Sequence, residues 1–119
     1  MPIHRCPRCR AEDISADAHP TRILNNGIVV PVFVCRGCYR AAELEYRIAC
    51  DSAGLPYEPL AIRQGLKLLS DFYLDRLARW RDPDLLLDDE QREAGTARIR
   101  AALDDVERRR AIAPVQDRP

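Results

Sequence analysis

Two short apolar stretches predict a β-hairpin in the first third of the chain. Thr21–Leu24 and Ile28–Val34 are the two candidate strands, and the second is rich in β-branched residues. Asn25-Asn26-Gly27 lies between them, and this sequence is typical of a tight turn because Asn and Gly tolerate positive φ. Pro31 cannot donate to a sheet ladder, so the second strand is expected at an edge or with a bulge.

The sequence that follows the hairpin has helical periodicity. Tyr39–Cys50 contains good helix formers and no breaker, and Gly54 and Pro56 end it. Leu60–Trp80 repeats apolar residues at steps of three and four, which predicts a long amphipathic helix. A second long helix is expected from near Asp88 to Ala111, antiparallel to the first.

Residues 11–20, in contrast, have the composition of a polar loop that includes His19. The predicted fold class is therefore a small α+β module, made of a β-hairpin plus a helix, followed by an α-helical hairpin. The protein is expected to be mainly α overall.

A two-helix hairpin buries one seam only, so it needs a further surface to pack on. One hypothesis is that the helix at 39–50 completes an internal three-helix core. The other is that the apolar excess on the first long helix is a surface for a protein partner or a homodimer. The residues of this surface are Phe72, Tyr73, Leu77 and Trp80. Leu85, Leu86 and Leu87 are either a first helical turn or an exposed docking patch.

Charge is balanced overall but uneven along the chain. The 119 residues carry 19 basic and 19 acidic side chains, and the first 40 residues hold six arginines against three acids. This basic end is a weak electrostatic footprint for nucleic acid. The residues that could contact nucleic acid or an acidic protein are Arg5, Arg8, Arg10, Arg36 and Arg40.

Candidate chemistry is concentrated in two CxxC pairs. Cys6 and Cys9 form the first pair, Cys35 and Cys38 the second, and 25 residues separate them. Two such pairs in a small chain are a strong metal signal, because four thiolates complete a tetrahedral shell. Pro7 and Gly37 suit the tight turns that each pair requires. A closed shell predicts one structural Zn²⁺ rather than a catalytic ion.

The same four cysteines are compatible with two other uses. Two disulfides are one alternative, although the sequence shows no secretory signal and a reducing, cytoplasmic location is expected. An iron–sulfur cluster is another, since it also takes four cysteines. Cys50, the fifth cysteine, is expected to pack as a small apolar residue in a helix. No stretch of about 18 apolar residues is present, so no membrane association is expected.

The order of knuckle, hairpin, second knuckle and helix resembles a treble-clef zinc finger. Val34–Ala41 is similar to the second half of such fingers, where the ligand pair lies between a strand and a helix. Zinc-ribbon proteins share the cysteine spacing. The resemblance implies a zinc-binding module at residues 1–52. The apolar periodicity predicts the helical hairpin at 57–113, and the tail at 114–119 is expected to be disordered.

HNH-type endonucleases form one enzymatic branch of treble-clef proteins. Their sites use histidines and an asparagine to hold a catalytic metal. Here His19 is the only histidine between the cysteine pairs, and Tyr39 follows Cys38 where those nucleases often have histidine. A degenerate HNH-type nuclease therefore ranks last among the functional hypotheses.

The leading hypothesis is a non-enzymatic, zinc-binding adaptor, regulator or inhibitor that acts by protein–protein binding. A small regulator from a phage or mobile element would fit this description. The alternative is a transcriptional regulator that binds nucleic acid through the basic finger.

Overall fold

A computed structural model describes residues 4–113 of the chain. The elements are β1 (Ala18–Asn25), β2 (Ile28–Cys35), a single 3₁₀ turn (Arg36–Cys38), α1 (Tyr39–Ala53), α2 (Ile62–Trp80) and α3 (Asp89–Ile112). This order confirms the predicted fold class, a β-hairpin plus helix followed by two long helices, mainly α. The tail predicted to be disordered, 114–119, lies outside the described residues.

The β-hairpin has a two-residue turn, and this turn determines where both strand prolines fall in the hydrogen-bonding register. Asn26 and Gly27 have φ of 51° and 78°, and both signs are those of a type I′ turn. The strands pair antiparallel in a continuous register without a bulge. Hydrogen-bonded pairs alternate from Asn25 and Ile28 onward, so Pro20 and Pro31 fall at pairs that exchange no hydrogen bonds. Neither proline therefore removes a hydrogen-bond donor from the ladder between the strands, and each nitrogen faces an outer edge of the sheet.

β1 begins earlier than the sequence pattern predicted. It starts at Ala18, so the expectation of a polar loop over residues 11–20 is wrong for the last three of them. The reason is the register, because Pro20 lies where a strand can carry proline without losing a ladder bond. His19 accordingly lies in a strand, with its ring 3.9 Å from the ring of Tyr39.

The helix ends follow local signals in the sequence. Gly54 ends α1 with φ of 71°, the left-handed conformation that favours glycine. Asp88 caps α3, since its side chain accepts from the Gln91 N–H at 2.7 Å and Gln91 Oε1 accepts from the Asp88 N–H at 3.2 Å. Between α1 and α2, the Tyr57 hydroxyl donates to Glu43 at 2.9 Å, which fixes the connecting segment to α1.

The long helices pack on the β-hairpin as well as on each other. α2 contacts α3, β1 and β2, whereas α1 packs against β1. Leu66, Leu69 and Val106 share one buried cluster with Cys6, Phe33 and other residues of the N-terminal half. The two long helices therefore pack on the β-hairpin, which is the additional surface that they need. None of the helices within residues 4–113 is long and apolar enough to cross a membrane.

Gly95 permits a close side-chain approach between the long helices. The Trp80 indole lies where a Cβ on Gly95 would be, with ring atoms only 2.3 and 2.4 Å from that position.

We predict that Gly95→Ala destabilises the protein, because overpacking costs about 1–3 kcal/mol. The better helix propensity of alanine offsets only about 1 kcal/mol of this cost. Urea unfolding followed by Trp80 fluorescence measures the effect. Ala94→Gly, at the exposed neighbouring position, is the control for the difference in helix propensity between alanine and glycine. An unchanged or higher urea midpoint in Gly95→Ala would contradict the prediction.

Candidate metal centre

The four cysteines of the two CxxC pairs converge on one point. The sulfur atoms of Cys6, Cys9, Cys35 and Cys38 all lie within 4.8 Å of one another. Cys9 Sγ and Cys35 Sγ are 3.7 Å apart, far longer than the roughly 2.05 Å of a disulfide bond. All four are free thiols, positioned to bind a metal ion.

The first knuckle is a turn closed by its own backbone. Arg10 N–H donates to the Cys6 carbonyl at 2.9 Å, and Cys9 N–H points at Cys6 Sγ from 3.5 Å. Arg10 itself has φ of 68°, so the chain leaves the knuckle through a left-handed residue. The sequence assigned the tight turns to Pro7 and Gly37. It did not predict a left-handed residue at Arg10, because arginine rarely adopts this conformation.

The second knuckle lies between a strand and a helix. Cys35 is the last residue of β2, and Cys38 ends the 3₁₀ turn directly before α1. Gly37 does not take a left-handed conformation here, so the turn does not use its special freedom. A Cβ on it would lie 4.0 Å from Cys35 Sγ, at the limit of contact. Cys38 also lies at the N-terminal end of α1, where the helix dipole favours a negative charge.

Electrostatics around the sulfurs favour a bound cation. Burial opposes ionisation of Cys6, but the backbone N–H groups of Cys9, Cys35 and Arg8 outweigh it and lower the pKa of this thiol to about 6. The Cys38 thiol, together with burial, raises the pKa of Cys35 to about 12. Without a cation, neighbouring thiolates resist ionising together, whereas a metal ion stabilises all four. The centre is half enclosed, because Cys6 and Cys38 are buried and Cys9 is exposed.

The five arginines at this end of the molecule differ in their contacts. Arg8 Nε donates to Glu45 at 2.7 Å, and Arg8 Nη1 points at Cys38 Sγ from 3.6 Å. Arg5 lies 4.0 Å from Glu12, both well exposed. Within residues 4–113 no ion pair engages the exposed Arg10, Arg36 and Arg40. Arg8 thus supports the metal centre, while the last three cations remain directed at solvent.

A buried polar cluster joins the metal module to α3. His4 Nε2 and Asp105 Oδ2 are 2.7 Å apart, and both residues are buried. Arg108 and Arg109 donate to the same carboxylate at 2.8 and 2.7 Å. Arg109 also donates to the Ser15 carbonyl and lies over the Phe33 ring. His4 is therefore engaged by Asp105, an arrangement that the sequence analysis did not find.

The structure also places Cys50 and the four residues of the predicted partner surface. Cys50 is fully buried in α1, as predicted. On α2, Leu77 is buried and Trp80 packs on Gly95, while Phe72 and Tyr73 are half-buried beside β2. Apolar side chains that are more than half exposed occur outside α2, and they include Leu44, Ile48 and Leu86.

Comparisons with protein-family models, with curated proteins and with solved structures gave no match to this chain.

Proposed function

We propose that Cys6, Cys9, Cys35 and Cys38 hold one structural Zn²⁺ in a treble-clef-like domain. The separation of the sulfurs carries this proposal. Zinc–sulfur bonds of about 2.3 Å place the sulfurs of a regular tetrahedron about 3.8 Å apart. The 3.7 Å between Cys9 and Cys35 matches this spacing. An iron–sulfur cluster inserts several irons and sulfides between its thiolates, so it needs wider separations than the 4.8 Å limit here.

The zinc domain acts by binding another protein and not by catalysis. Four thiolates fill the shell, so the ion holds no open position for water or substrate. What the folded domain offers is a surface. Ala41, Leu44 and Ile48 lie on one face of α1, and Leu44 and Ile48 are 58% and 55% exposed. Exposed apolar residues on a rigid helix are typical of a protein-docking face.

The test separates the ion from the docking face. We expect native mass spectrometry to find one zinc per chain, and Cys50→Ala to keep that ratio. A partner recovered with the wild-type protein from its native host should be lost by the double variant Leu44→Ser, Ile48→Ser, which keeps its zinc. Leu74→Ser on α2 is the matched control, since Leu74 is 51% exposed. Equal recovery by the double variant would contradict the docking face.

Nucleic-acid binding is the second candidate function, and the exposed Arg10, Arg36 and Arg40 favour it. If it holds, affinity for DNA or RNA should fall steeply with salt, and the triple Arg→Gln variant should flatten that slope. Each lost phosphate contact removes roughly one unit of the slope. Binding that does not depend on salt or on these arginines would reject this candidate.

A further inference from the structure

The connection between α2 and α3 presents one leucine almost entirely to solvent. Leu86 is 98% exposed and its neighbour Leu85 is 40% exposed. Residues 82–88 are termed the Leu86 loop. Exposure on this scale has no role in the core of the monomer, because the side chain contacts almost nothing there.

The Leu86 loop is nevertheless held in one conformation. Arg92 donates to three of its surrounding carbonyls, those of Trp80, Asp82 and Leu85, at 2.6, 2.8 and 3.0 Å. Asp84 N–H donates to Asp82 Oδ1 at 2.9 Å, and Leu85 N–H to the Asp82 carbonyl at 3.1 Å. A loop fixed in advance loses little conformational entropy on binding, which favours a contact role.

The charges around Leu86 define the surface that it fits. Exposed acidic residues flank the two leucines in the sequence on both sides, and they are Asp82, Asp84, Asp88, Asp89 and Glu90. An apolar side chain flanked by acidic residues complements an apolar groove with basic residues.

Such a groove lies beside the loop in the same molecule. Residues of β2 and α2 line a cavity of about 500 Å³, termed the β2–α2 groove. Its walls are Ile28, Val29, Val30, Phe72, Asp75, Arg76, Arg79 and Trp80. Ile28 and Val29 are 65% and 44% exposed. Arg79 pairs with Asp75, whereas Arg76 lies over the Phe72 ring, 5.5 Å from its centre, with no ion pair among residues 4–113.

We infer that a second copy of this chain occupies the β2–α2 groove with its Leu86 loop. Groove and loop adjoin at Trp80, which lines the groove and whose carbonyl accepts a hydrogen bond from Arg92. A two-fold axis near this point lets each copy insert its loop into the other's groove, so the contact closes as a dimer. In this dimer Leu86 contacts Ile28, Val29 and Phe72, while the flanking acidic residues face Arg76. The inference does not depend on the proposed function, because neither zinc nor the α1 face contributes to the contact.

Analytical ultracentrifugation of the zinc-loaded full chain over a concentration series tests the dimer. We expect a reversible dimer with a dissociation constant in the micromolar range, since the patch is small, and weakening by added salt. Leu86→Ser and Arg76→Glu should each raise the dissociation constant by roughly tenfold or more. Leu74→Ser, outside the groove, should leave it unchanged. Circular dichroism confirms that each variant is folded.

Photo-crosslinking identifies the site of contact. A benzoylphenylalanine in place of Leu86, in mixed ¹⁴N and ¹⁵N protein, should give intermolecular crosslinks to residues 28–30 or 72–80. A monomer at every concentration, a dimer insensitive to Leu86→Ser, or crosslinks directed to other surfaces would overturn the inference. A monomer that still holds zinc and its protein partner would do so while leaving the proposed function intact.

Discussion

Cys6→Ser and Cys38→Ser are expected to remove the metal and to unfold the N-terminal half of the protein. Structural zinc contributes an apparent 10–16 kcal/mol or so in small domains, and a whole domain is stable by only about 5–15 kcal/mol. A missing thiolate cannot be offset by packing here, because both sulfurs are themselves buried in the shared core. Since Leu66 and Leu69 pack in the same cluster, α2 should also lose part of its support.

Elemental analysis and a two-dimensional amide NMR spectrum measure these two outcomes. Cys50→Ala is the matched control, because Cys50 is equally buried but lies outside the cluster of four sulfurs. It should keep its metal and a dispersed spectrum. Chelation of the wild-type protein should reproduce the spectrum of Cys38→Ser, and added zinc should reverse only the chelated sample. Cooperative melting of metal-free Cys38→Ser would contradict the role given to the ion.

Asp105→Ala is expected to produce the second-largest loss of stability. It leaves the buried His4 and the two arginines without their shared acceptor, and breaking a buried ion pair costs about 3–5 kcal/mol. The loss should appear as a lower urea midpoint at neutral pH with one zinc still bound. Asp104→Ala is the control, because its side chain lies one position away on α3 and makes no hydrogen bond in the described part of the chain.

The same cluster predicts how stability depends on pH. Burial alone would raise the pKa of Asp105, but hydrogen bonds from Arg109, His4 and Arg108 lower it below the ordinary aspartate value. A lowered carboxylate pKa contributes stability above the unfolded-state value, about 3.9, and this stability is lost as pH falls through the folded value. Stability of the wild type should therefore fall in acid below about pH 4 by more than that of Asp105→Ala. Parallel pH profiles for the two proteins would contradict this assignment.

Features with local signals could be predicted from the sequence, and the four ligands are the clearest of them. Two CxxC pairs determine which sulfurs meet, whatever the length between them. Asn26-Gly27, Gly54 and Asp88 each act within their own turn or helix end, and each does in the structure what its residue type favours. The start of β1 was missed because Pro20 indicates the end of a strand unless the register of the strands is known.

Long-range packing could not be predicted in the same way. His4 and Asp105 are 101 positions apart, and nothing in the periodicity of either segment relates them. The apolar stripe of α2 indicated a buried face but not what would cover it. A third helix and a partner were the two hypotheses, and the β-hairpin, on which α2 packs, was not among them. The hydrogen bonds from Arg92 to three carbonyls around the Leu86 loop likewise have no signature in the sequence.

The two strand prolines limit how other chains can approach this protein. Pro20 and Pro31 interrupt the outward row of amide donors midway along each margin of the hairpin. An incoming strand would find no continuous ladder on either side, so sheet extension and cross-β stacking are disfavoured. Recognition therefore depends on side chains rather than on the strand backbone. The same interruption disfavours templated aggregation of this valine-rich strand.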